Sequence, residues 1–291
     1  MDAEEALADA GGLARWKALA ASGVQARQLR AAVAAGTVVR PGHGLYAVPG
    51  IAPELVTALS RGSSLGCVSA ARFHGLWVHH RQGLHLSSPR GVRAPSNGRV
   101  HRLRQSHGPV VPLDVCLRQV LGCLPDREAL VVAESAVVKG LVTLDDLEGL
   151  SAGRGSLRAA AVIARIDARA ESVPETLARD VLRAAGYAVA CQRRIRGVGR
   201  VDLEVDGALL IEIDGRTYHS DERSFAEDRR RWNELTIQGR DVLVLPAKPI
   251  LMRPESVLEP VGRYFLGRAS SAGATSVAVS PWVSGGAADA W

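Results

Sequence analysis

The stretch that most constrains this chain is LLIEIDGRTYH, residues 209–219. Four aliphatic residues mark a strand at the interior of a sheet, yet Glu212 and Asp214 interrupt them. Charged carboxylates are costly inside a sheet unless something pairs with them. Side chains two apart on a strand leave the same face, so the two acids share a side. Just upstream, RVDLEVDGALL places Asp202 on a strand that Asp206-Gly207 turns back against the first. Asp202 can then meet Glu212 and Asp214 across the hairpin. Three carboxylates on one face repel unless a cation neutralises them. An oxygen-only set suits Mg²⁺ or Mn²⁺, which can activate water and stabilise charge on a phosphodiester under attack.

The surroundings fit an α/β unit over residues 156–268. ESVPETLARDVLRAAG reads as a helix, with Ser172 as its cap, Pro174 in its first turn and Gly186 as its stop. Ser172-x-x-Glu175 is also a capping box, so Glu175 is either a helix-start residue or a further acid of the site. A long helix near 222–238 carries an apolar stripe of Phe225, Trp232 and Leu235, with Asp228 inside it. Asp228 then needs a partner, either Arg231 one turn on or the site itself. DVLVLPA, 241–247, is a final strand.

The segments SVPE, RVDLEVDG, LLIEIDGRTYH and FAEDRRRWNELTIQGRDVLVL occur in that order over 171–247 and resemble the DUF559 branch of the PD-(D/E)xK nucleases, similar to very-short-patch repair endonucleases. The resemblance implies a restriction-endonuclease-like α-β-β-β-α-β core. It implies Asp202, Glu212 and Asp214 as metal ligands, His219 as general base or phosphate contact, and Glu175 as an acid on the first helix. Asp214 stands where many relatives have lysine, and this branch commonly has aspartate there. Arg216, Arg229, Arg230 and Arg231 would contact phosphates, with Asp228 and Trp232 supporting the site.

The N-terminal residues tell a second story. LARWKALAA, 13–21, has helical character, and Ser22-Gly23 breaks it. VQARQLRAAVAAG is a further helix with Val24, Leu29 and Val33 inward and Gly36 at its end. TVVRPGHGLYAVP reads as a hairpin around Pro41-Gly42-His43-Gly44. Helix, turn, helix, hairpin is the order of a winged helix-turn-helix. Residues 10–50 resemble the N-terminal domain of AbiEi-type, type IV antitoxins. That resemblance implies DNA contact through Gln25, Arg27, Gln28 and Arg30, with Arg40 and His43 on the wing. A solvated polar helix face is the plainer alternative.

The expected division is a winged helix over 1–50, a mixed α/β middle region of the AbiEi-type antitoxin kind over 51–155, a nuclease-type domain over 156–268, and a disordered Ser/Ala/Gly-rich tail over 269–291. The fold class is α/β (α+β) and multidomain. The middle region's histidines, His74, His79, His80, His85, His101 and His107, are irregularly spaced with no acids between. They read as part of a basic face with Arg90, Arg93, Arg99, Arg102 and Arg104 rather than as a metal site. The four cysteines, Cys67, Cys116, Cys123 and Cys191, show no zinc spacing and read as reduced thiols of a cytoplasmic protein. The acidic N-terminus is not a signal peptide, and no run of about 18 apolar residues spans a membrane.

A net charge of +6 allows a nucleic-acid partner. The expected function is a Mg²⁺- or Mn²⁺-dependent DNA endonuclease or nickase, positioned by its winged helix. The alternative is an antitoxin-like transcriptional regulator of actinobacterial type whose nuclease domain is degenerate. A module that neutralises a cognate toxin, and self-association as a homodimer, are further partner expectations. No organic cofactor and no membrane are expected.

Overall fold

A computed structural model describes residues 2–79, 83–89, 91–105, 108–150, 156–215 and 222–274. The chain is mixed α/β, built as three packed units around small sheets.

The first unit holds α1 (Ala3–Asp9), β1 (Leu13–Arg15), α2 (Trp16–Ala21), α3 (Ala26–Ala35), β2 (Val39–Gly42) and β3 (Leu45–Ala47). Asp2 starts α1 by accepting the Glu5 amide at 2.7 Å. Leu13–Arg15 differs from the helical expectation. Gly11 and Gly12, at φ 74° and 84°, turn the chain so that this segment pairs antiparallel with β3, Leu13 opposite Ala47. The sheet order is β1-β3-β2. Val24 and Leu29 enter a core with Leu7, Leu19 and Val38, and Val33 packs against it. Gly36, at φ 76°, closes α3.

The second unit runs α4 (Pro53–Ser60), β4 (Ser64–Leu65), α5 (Cys67–Phe73), β5 (His85–Ser88), β6 (Arg99–Arg102), α6 (Leu113–Cys123), α7 (Asp126–Val138), α8 (Leu144–Leu150) and α9 (Ser156–Ile163). β5 is antiparallel to β4 and parallel to β6. Ala159, Val162 and Ile163 of α9 sit in the core made by α5, α6 and α7. That helix therefore packs with the middle unit, beyond the expected boundary at 155. Leu65 and Leu86 share a cluster with Leu13, Leu45 and Ala47, joining the first two units.

The third unit holds α10 (Val173–Ala184), β7 (Val189–Ile195), β8 (Gly199–Val205), β9 (Leu209–Asp214), α11 (Glu222–Ile237), β10 (Asp241–Pro246), α12 (Ala247–Met252), a 3-10 turn at Pro254–Val257 and α13 (Leu258–Ala274). Asp206 and Gly207, at φ 48° and 66°, make the tight turn between β8 and β9. β7, β8 and β9 form an antiparallel meander, and β10 returns through α11 to lie parallel to β9. Leu177, Val181, Leu203, Leu209, Ile211, Ile250 and Val261 fill one side of the sheet. Val201 and Leu210 meet Leu235 of α11 on the other. α13 continues to Ala274, into the stretch expected as a tail, because Val261 and Tyr264 dock its start on the sheet's core. Residues 275–291 lie outside the described residues.

The second and third units are joined by a buried ionic network that the sequence does not announce. Glu134 of α7 and Arg179 of α10 pair at 2.6 Å, at 0% and 1% side-chain exposure. Thr176 Oγ1 and the Asp167 amide also donate to Glu134, at 2.5 and 2.7 Å. Asp180 accepts from Arg127 and Arg165, and Asp167 from Arg169 and Arg183. Burial pushes the Asp167 carboxyl up, but the hydrogen bonds and charge of Arg169 outweigh it and hold the group well below the usual range.

Candidate functional site

The α3 face follows from helical spacing. Arg27 and Arg30 are three apart, so they lie on one side of α3, and both are exposed while Leu29 is buried and Val33 half-buried. Gln25, Arg27, Gln28 and Arg30 are all exposed. Gln28 Oε1 accepts the Gln25 amide at 2.8 Å, so this side chain helps start the helix. On the hairpin, Arg40 lies 5.9 Å over the Tyr46 ring, and His43 is exposed at the turn beside Gly44. Neither Arg27 nor Arg30 pairs with an acid among the described residues.

The C-terminal acids are arranged quite differently. β7 and β8 pair regularly except at Gln192 and Asp202. Gln192 takes φ 51°, a conformation that costs a non-glycine residue on the order of 1–3 kcal/mol. Leu203 then faces the α10 side while Val201 faces α11, although residues two apart on a regular strand share a face. The irregularity parts the acids into two groups.

In one group, Asp202 Oδ2 accepts the Ile213 amide at 2.7 Å, and Gln192 Nε2 reaches Glu175 at 2.9 Å and Asp202 at 3.4 Å. Glu175 also accepts from Ser172 Oγ at 2.6 Å and from the Glu171 amide at 3.0 Å, and Ser172 Oγ caps the helix by accepting the Glu175 amide at 3.4 Å, so the carboxylate engages the residue before the cap and the box is only half formed. Burial raises the Glu175 carboxyl above its ordinary value, and the Asp202 charge adds to that. In the other group, Glu212 pairs with Arg231 of α11 at 2.5 Å. Arg231 also donates to the Arg200 carbonyl at 2.6 Å, while its Nε is buried without a hydrogen-bond partner. Glu212, Asp214, Gly215, Arg231 and Trp232 line an open pocket of about 80 Å³.

Asp202, Glu212 and Asp214 do not gather into one group here. Among the described residues, no group of three or more of these acids brings its oxygens within 4.8 Å of one another. Glu212 engages a guanidinium, and Asp202 a backbone amide with Gln192. Arg231 therefore pairs with Glu212, and the Asp228 side chain lies outside the described residues. Arg230 is held by Glu227 at 2.6 Å and donates to the Gly197 carbonyl at 2.8 Å. Arg229 lies 5.6 Å over the Trp232 ring. Arg216 and His219 lie outside the described residues.

The middle unit contains a cluster that sequence spacing concealed. Cys67, His85, His101 and Cys123 bring one ligand atom each within 4.8 Å of all the others. The expectation of an exposed basic face does not hold for His74, His79 and His85, while His80, His107 and Arg90 lie outside the described residues. His85 is buried, and His74 and His79 bond the carbonyls of Val111 and Leu251. The Cys123 thiol is driven well below its ordinary value, first by its hydrogen bond with Cys67 and then by those with His101 and His85. The same contact, with burial, drives Cys67 upward.

Residues 1–49 match the family of AbiEi antitoxin transcriptional regulators. The match covers α1 through β3 and includes every N-terminal residue expected at DNA. It does not reach the acidic pocket or the Cys/His cluster. No curated protein matches the chain. Among the described residues, no helix is long and apolar enough to cross a membrane.

Proposed function

We propose that this chain is an antitoxin-like, DNA-binding transcriptional regulator that acts on the DNA upstream of its own coding sequence. The family match over residues 1–49 carries the reading, and the exposed Arg27/Arg30 side of α3 supplies its chemistry. In this proposal α2, α3 and the β2–β3 hairpin form a winged helix-turn-helix. Gln25, Arg27, Gln28 and Arg30 approach bases and phosphates, with Arg40 and His43 on the wing. The family also suggests a cognate toxin as a partner.

The C-terminal unit is, in the same proposal, a PD-(D/E)xK-type nuclease fold retained without its metal chemistry. Supporting this, Glu212 is neutralised by Arg231, Asp202 is engaged by the Ile213 amide, and Asp214 stands in place of a lysine. A second reading is an active endonuclease with Asp202, Glu212, Asp214, Glu175 and His219 as its site and Mg²⁺ or Mn²⁺ as its cofactor. The observation in its favour is the strained Gln192, which holds Glu175 and Asp202 side by side.

Supercoiled plasmid incubated with the full chain and Mg²⁺, Mn²⁺ or EDTA separates the readings. A regulator gives a salt-sensitive gel shift without cleavage, unchanged in Asp202→Ala and Glu212→Ala. Metal-dependent nicking that both substitutions abolish would replace the regulator with the nuclease.

A further inference from the structure

The four ligands at Cys67, His85, His101 and Cys123 come from four elements. Cys67 begins α5, His85 and His101 lie on the parallel strands β5 and β6, and Cys123 ends α6. The strand register sets His85 opposite Arg99 and His101 opposite Ser87, so the two imidazoles are diagonal neighbours. His101 Nε2 lies 3.4 Å from His85 Nδ1, and Cys123 Sγ lies 3.8 Å from the same nitrogen. A nitrogen–nitrogen separation of 3.4 Å is long for a hydrogen bond. It matches instead the edge expected of a zinc tetrahedron. With Zn–N of about 2.05 Å and Zn–S of about 2.3 Å, tetrahedral angles place N···N at about 3.3–3.4 Å and N···S at about 3.6 Å.

The protein around these atoms is fixed before any ion arrives. Cys67 takes φ 48°, in the left-handed region that non-glycine residues avoid. Its amide donates to Gln119 Oε1 at 2.8 Å, and its carbonyl accepts from Cys116 at 3.3 Å, so α6 grips it from one side. At Gly66 a Cβ would lie 1.9 Å from Ser87 Oγ, so only glycine allows this close approach to β5. The His85 amide donates to Ser69 Oγ at 2.9 Å, and the His85 carbonyl accepts from Gly66. Arg99 Nη1 donates to Cys123 Sγ at 3.2 Å, an outer hydrogen bond of the kind that orients a metal-bound sulfur. Two sulfurs and two imidazole nitrogens form a complete set for structural Zn²⁺, with no fourth position left for water or substrate.

We propose that Cys67, His85, His101 and Cys123 form a tetrahedral structural Zn²⁺ site that locks α5, β5, β6 and α6 together. Leu65 and Leu86, neighbours of Cys67 and His85 in sequence, lie in the cluster shared with Leu13, Leu45 and Ala47. The metal thereby also steadies the seat of the first unit on the second.

The test uses the full chain purified under reducing conditions. Elemental analysis should find one Zn²⁺ per chain, and removing it with a chelator should lower the melting temperature, with recovery when Zn²⁺ is returned. Reconstitution with Co²⁺ should give a thiolate-to-metal charge-transfer band and the intense visible bands of a tetrahedral site. Cys123→Ser should weaken the charge-transfer band, and His101→Ala should shift the visible bands while keeping it. Cys123 and His101 are only half-buried, so these variants are the ones expected to fold. A wild-type chain that retains no Zn²⁺ and gives no Co²⁺ spectrum overturns the proposal. So does a Co²⁺ spectrum unchanged in both variants.

Discussion

The α3 face and the acidic pocket are both dense in charge, but they handle it in opposite ways. On α3, Arg27 and Arg30 stand exposed with no acid of the described residues beside them. In the third unit, Glu212 has Arg231, Asp202 has the Ile213 amide and Gln192, and Arg230 has Glu227. Charge that is neutralised within the chain serves the fold. Charge left in water has little internal role and is available to an outside partner of opposite sign. The difference directs the search for nucleic acid to the N-terminal face rather than to the acids that first attract the eye.

The largest effect should come where neutralisation is most complete. Glu134→Ala would leave Arg179 charged, buried and unpaired, and should cost about 3–5 kcal/mol of unfolding free energy, read from urea denaturation. A loss below about 1 kcal/mol would mean that the network is not the joint between the second and third units.

Next comes the exposed face. Arg27→Ala and Arg30→Ala should each weaken DNA binding, by about 1–3 kcal/mol where the guanidinium reads a base and less where it meets a phosphate, with the melting temperature unchanged. Fluorescence anisotropy with a labelled duplex reads the first quantity and a thermal melt the second. If stability falls and affinity does not, the comparison inverts.

Glu212→Gln removes one partner of a half-buried pair, so a cost of about 1–2 kcal/mol is expected in the same denaturation experiment. DNA affinity should stay the same or rise slightly as Arg231 is released. A fall in affinity would show that the acid, and not the arginine, is the binding element.

The smallest effect is on pH dependence, where two acids act with opposite signs. Asp167 is held below its unfolded value, so the stability it contributes is present above about pH 4 and is lost as pH falls through its lower folded value. Glu175 is raised, so its contribution is more favourable in acid and declines as pH climbs past its unfolded value. Asp167→Asn should flatten the acid limb of a stability–pH curve. An unchanged limb would place the acid sensitivity elsewhere.

Local features were the legible ones. The turn at Asp206-Gly207, the end of α3 at Gly36, the helix cap at Ser172 and the inward set Val24 and Leu29 each depend on neighbours within a few residues. β1 was hidden because Leu13–Arg15 has helical composition and is a strand only through its pairing with β3. The three carboxylates were visible, but not their separation, which hangs on the left-handed conformation of Gln192 one strand away. Arg231 was visible as a candidate partner for Asp228, yet which acid it meets depends on how α11 crosses β9. The Cys/His cluster was least legible, since no two of its members are close in sequence and only the packing of α5, β5, β6 and α6 unites them.

The measurement that bears most directly on the central claim is the salt dependence of binding to the duplex upstream of the chain's own coding sequence. It compares the full chain with the Arg27→Ala/Arg30→Ala double variant by anisotropy over a range of salt. If these two guanidiniums meet phosphates, the slope of log affinity against log salt should become shallower by about 2, close to 0.9 per lost contact. An identical slope and affinity in the two proteins would contradict the account and move the nucleic-acid interface away from α3.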